Sequence, residues 1–158
     1  MSIRMIALAL AGALITSAAQ AGERAISDAS RNGESLRGQI SCASADRLSV
    51  RPVGWRFRSD DSTLDDTGAA AVSQLILYVQ ERVGGSWETV DSRVFTQDRL
   101  QYRGDLSRSR QILANWSTSF SEGCQGRTFR VQSQARFVDA DGRRVFERQL
   151  RGDAVTFN

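Results

Sequence analysis

RTFRVQSQARFVDADGRRVFERQLR, residues 127–151, decides the fold. Phe129, Val131, Ser133, Ala135 and Phe137 share one parity of its first half, while Arg130, Gln132, Gln134 and Arg136 share the other. A period of two marks a strand with one face in a core and one in water. Asp139-Ala140-Asp141-Gly142 supplies turn chemistry, and residues 144–151 return as a second strand.

The same period recurs upstream. Leu36, Gly38, Ile40 and Cys42 fall on one face of a strand over 36–42. In 48–58 the apolar phase changes at Pro52, which suits a bulge or an edge position. Residues 72–83 read as a central strand, and Gly84-Gly85 turns them into 87–95. Residues 111–120 alternate cleanly, and Val155 and Phe157 extend the last strand. No stretch of the mature chain has a helical period.

Ahead of the strands lie Arg4, an apolar run over 5–15 and the small-x-small triplet Ala19-Gln20-Ala21. That order predicts a signal peptide over 1–21, cleaved near Ala21. The run is too short for a bilayer span. Residues 22–35 are polar and aperiodic, and read as a flexible leader. Residues 36–158 form one domain, and the expected location is secreted or periplasmic.

Export places Cys42 and Cys124 in an oxidising compartment, and two cysteines allow one intramolecular pairing. About seven short strands with turns between them predict an antiparallel β-sandwich, with a small β-barrel as the alternative. Cys42 with Trp55 resembles an immunoglobulin-type core, although Cys124 precedes its strand. The expected architecture is therefore immunoglobulin- or fibronectin-like in pattern. If strands alternate in direction, Cys42 and Cys124 meet at one pole, while 59–68, 96–108 and 139–142 gather at the other. That parity requires 99–103 to be loop.

Arginine supplies the whole positive charge: 21 residues, with no lysine and no histidine. Without histidine there is no serine–histidine–acid triad or cysteine–histidine dyad, and without lysine no Schiff base. A carboxylate pair drawn from Glu81, Glu88 and Glu147 is the remaining hydrolytic chemistry. Asp60, Asp61, Asp65, Asp66, Asp139 and Asp141 are the available calcium ligands, but they match no EF-hand. No metal and no cofactor is expected. Acids interleave with the arginines, which argues against a nucleic-acid stripe. Asn115-Trp116-Ser117 matches a glycosylation acceptor but lies mid-strand.

Two Arg-Gly-Asp tripeptides, Arg103-Gly104-Asp105 and Arg151-Gly152-Asp153, are read as chance matches in a chain rich in arginine, glycine and aspartate, although two are mildly surprising. The expected contact patch is Arg99, Tyr102, Arg103, Asp105, Arg108 and Arg110, on the pole opposite the disulfide. Loops on a rigid scaffold are the usual place for binding. These features predict an exported, non-enzymatic binding domain for a protein or glycan outside the cytoplasm, with an anionic partner. The alternatives are an inhibitor of a hydrolase and a small carboxylate-dependent carbohydrate-active enzyme.

Overall fold

The computed structural model describes residues 17–19, 24–31, 34–43, 47–58, 68–103, 111–121 and 123–158. Its strands are β1 (Ser17–Ala19), β2 (Arg24–Arg31), β3 (Glu34–Ala43), β4 (Arg47–Arg58), β5 (Ala71–Val83), β6 (Ser86–Thr96), β7 (Gln101–Arg103), β8 (Gln111–Phe120), β9 (Thr128–Val138), β10 (Arg144–Arg151) and β11 (Val155–Phe157). One sheet has six strands in the order β1-β11-β9-β5-β6, with β10 beside β11 on the same edge of β9. The other has five, in the order β2-β3-β4-β8-β7. All neighbours are antiparallel except β1 and β11, which run parallel. The protein is an antiparallel β-sandwich.

Every strand inferred from alternation is present, and β9 holds the centre of its sheet between β5 and the β10–β11 pair. Phe129, Val131, Ser133, Ala135 and Phe137 are all buried, as the period of two requires. The phase change at Pro52 is a bulge between Val50 and Val53. The extra residue brings Leu48, Val50, Val53, Trp55 and Phe57 all onto the core face. A second bulge, at Val79–Gln80 against β6, turns Val94 outward and leaves Phe95 packed against the core. Gly84 and Gly85 carry φ of 56° and 89°, the left-handed values a tight hairpin needs.

Cys42 and Cys124 are bonded, with their Cα atoms 6.0 Å apart. The bond joins the end of β3 to the chain just ahead of β9 and fixes one pole of the sandwich. Near the other pole, Ala71 lies opposite Val138 and Gln74 opposite Thr96.

Two expectations are corrected. Residues 24–31, read as part of a flexible leader, form β2, paired with β3 from Arg24–Ser41 to Arg31–Glu34. The inward residues of β2 are Ala25, Ser27 and Ala29, too small to raise an apolar signal. Residues 101–103, read as loop, form β7 on the edge of β8. The parity survives because β7 runs opposite to β8 and carries the chain onward in the direction of β6 rather than reversing it. The 3-10 turn Gln97–Arg99 makes that crossing between sheets.

The signal peptide lies largely outside the described residues. Ser17–Ala19 is the exception, and cleavage near Ala21 would leave β11 as the edge of its sheet. Among the described residues, no helix is long and apolar enough to cross a membrane.

Candidate functional site

The outward face of the five-stranded sheet is built from alternate residues of β2, β3, β4 and β8. Across its middle, Asp28, Arg37, Gly54 and Asn115 form one cross-strand row. Ser30, Ser35, Arg56 and Leu113 form the next. Gly54 carries no side chain, and the serines beside it are short, so the centre of the face is low. Bulges in the β3–β4 and β4–β8 ladders bend the sheet at the same level. The result is a groove of about 660 Å³, lined by these residues together with Ile26 and Gln39.

Gly54 is the floor for a steric reason. A Cβ there would stand 3.1 Å from Asn115 Oδ1, tighter than nine in ten such contacts, so the Asn115 amide would have to shift by a few tenths of an ångström. Arg37 and Arg56 flank the floor, and both are exposed. Arg51, opposite Gln39, adds a third exposed guanidinium to the face. Asp28, opposite Arg37, is the only carboxylate among the described residues that lines the groove. Among the described residues, no carboxylate lies within ion-pair distance of Arg37, Arg51 or Arg56.

Several arginines outside the groove are paired with acids. Arg127 reaches both carboxylate oxygens of Glu81 at 2.6 Å and also donates to the Gly123 carbonyl. The hydrogen bonds from Arg127 hold Glu81 below the ordinary carboxylate range. Glu147 accepts from Gln134, Arg136 and Arg144, and Gln134 first, then the arginines, lower its pKa. Arg148 lies 3.5 Å from the fully buried Glu34. On the groove face, Arg37, Arg51 and Arg56 share the surface with Asp28, and arginine is the residue type suited to carboxylate and phosphate recognition.

No protein-family model matches this chain, and no curated protein or solved structure matches it either.

The expected contact patch divides. Arg99 is exposed in the 3-10 turn, and Tyr102 and Arg103 lie on the β7 edge. Asp105, Arg108 and Arg110 lie outside the described residues, as do Asp60, Asp61, Asp65 and Asp66. Asp139 is occupied as a turn residue, its carboxylate accepting the N–H groups of Asp141 and Arg143. Asp141 faces solvent, with Arg143 at 3.5 Å. Among the described residues, no three His, Cys, Asp or Glu side chains cluster as metal ligands.

Of the three glutamates proposed as a hydrolytic pair, Glu81 and Glu88 are cross-strand partners, but Glu81 is engaged by Arg127. Glu147, on β10 of the same six-stranded sheet, belongs to a separate polar network with Gln134 and Arg136. None of the three lines the groove. The residues that do line it went unnoticed in sequence because they come from four strands. The available signal was Gly54, a glycine inside a strand, which marks a bulge or a close approach.

Proposed function

We propose that the protein is an exported, non-enzymatic binding domain whose groove on the five-stranded sheet receives an anionic glycan. One observation carries this reading: among the described residues, neither Arg37, across from Gly54 on β3, nor Arg56, two residues further along β4, has a carboxylate within ion-pair distance. An acid group on the ligand would supply that partner. Gln39, Asn115, Ser30 and Ser35 offer amide and hydroxyl groups between the cations, which suits a ligand rich in hydroxyls. A single carboxylate in the groove favours binding over a two-acid hydrolysis.

Calorimetric titration with polygalacturonate fragments tests this reading, with a neutral glucan of equal length as the control. The acidic glycan should bind, more weakly as salt rises. Arg37→Gln with Arg56→Gln should weaken it more than about tenfold, the loss of charge-assisted hydrogen bonds. Equal binding of the neutral glucan, or unchanged affinity in a folded double variant, would overturn it. Binding to acidic peptides but not to the glycan would transfer the groove to a protein partner.

A further inference from the structure

The outward face of the six-stranded sheet carries a different arrangement of arginine. Arg130, in β9, stands opposite Gln80 of β5. Its Nε donates to Gln80 Oε1 at 2.9 Å, and Gln80 Nε2 reaches Thr89 Oγ1 of β6 at 3.5 Å. The guanidinium carbon lies 4.0 Å from the centroid of the Trp87 ring, also on β6. Three strands therefore fix the plane of one guanidinium: β9 supplies it, β5 holds its Nε–H, and β6 supplies the ring beneath it.

That clamp leaves the far edge open. Neither terminal nitrogen of Arg130 makes a hydrogen bond or an ion pair with a described residue. Other arginines of the same sheet differ, since Arg136 and Arg144 both reach Glu147. Arg151 of β10, opposite Gln132, shares this face with Arg130, and its terminal nitrogen donates to Gln149 at 3.1 Å. Partial burial, together with Arg151, lowers the proton affinity of Arg130. Among the described residues no carboxylate is bonded to either guanidinium, so an anion could be shared between them.

We propose that the terminal edge of Arg130, with Arg151 beside it, is an oxyanion site that accepts one carboxylate, sulfate or phosphate group through paired N–H···O bonds. The planar fork of arginine matches such groups, and stacking on Trp87 settles its rotamer before a ligand arrives. Less conformational freedom is then lost on binding. This site lies on the opposite face of the sandwich from the groove and does not depend on it. Occupied together, the two would place anionic groups on both sides of the domain.

The test is a nuclear magnetic resonance titration with sodium sulfate at constant ionic strength, chloride serving as the balancing salt. The Arg130 Nε–H and Trp87 Nε1–H resonances should shift together and saturate. Arg130→Gln should abolish the saturable Trp87 shift, whereas Arg37→Gln with Arg56→Gln should leave it in place. Parallel titrations with inorganic phosphate and galacturonate rank the three oxyanion sources. Shifts that fail to saturate with all three probes, or a Trp87 response unchanged in Arg130→Gln, would overturn the site. Should Arg130→Gln fail to fold, Arg151→Gln serves instead: a sulfate affinity lowered at least about threefold supports the site, and an unchanged one overturns it.

Discussion

Ser27 Oγ occupies the space that a Cβ on Gly152 would fill. The same hydroxyl donates to the Asp153 carbonyl at 2.7 Å and accepts the Val131 N–H at 3.1 Å. One side chain of β2 thus ties β9 to the turn between β10 and β11, and joins the two sheets at their edge. Gly152→Ala should destabilise the protein by about 1–3 kcal/mol through overpacking. Ser27→Ala should cost about as much, by leaving the Val131 N–H without its acceptor. Urea unfolding measures both, and the double variant should lose less than the sum, because each change removes part of the other's conflict. This packing also accounts for the glycine of Arg151-Gly152-Asp153.

The Cys42–Cys124 bond closes a separation of 82 residues. In the chain-entropy model such a loop contributes about 4–5 kcal/mol. Replacing both cysteines by alanine should lower the denaturation midpoint by a corresponding amount. A midpoint within error of wild type would mean that the unfolded chain is already restricted there. Alkylation and intact mass should find no free thiol in the oxidised protein.

Acid should loosen the disulfide pole. Glu81 is held below its ordinary value, so its folded form binds a proton less readily than its unfolded form. The stability it adds is complete above the unfolded value of about 4.3 and is lost as pH falls through the folded value. Glu81→Gln should therefore cost about 1 kcal/mol at neutral pH, screened by its partly exposed setting, and nothing at the acid limit. Unfolding curves of wild type and variant at pH 7 and at about pH 2.5 should converge at the lower value.

The strands most clearly written in the sequence are those with large apolar residues on one parity, β9 above all. β2 was not visible because its inward side must be small. Gly38 faces Val131 so closely that a Cβ would collide with Val131 Cγ1, and Ser27 and Gly152 crowd the same corner. Where two sheets approach so nearly, alanine and serine replace the leucine or valine that would announce a strand. β7 was excluded by the parity of alternating strands, which made no allowance for a strand that continues in the direction of β6 after crossing to the other sheet. In β6 a bulge shifts parity without changing composition, so its faces do not follow a single alternation.

The candidate sites were less legible than the fold. Arg37, Gly54 and Asn115 are scattered over 79 positions and meet only through strand pairing. Trp87 and Arg130 are likewise distant in sequence and meet across β5. Sequence conveyed the abundance of arginine and the scarcity of catalytic types. Which guanidinium groups lack a partner is a property of registers, since one residue of slip would exchange every contact on a face.

The disulfide pole has a geometric consequence for how the domain can be displayed. Arg24, at the start of β2, pairs with Ser41 beside Cys42, and the Phe157 carbonyl accepts the Gly126 N–H just past Cys124. The first long strand enters and the last strand leaves at that same pole. A tether attached to either end would pull on the covalently closed side of the sandwich. The domain would then stand on its staple like a post, with each broad face turned sideways to whatever passes.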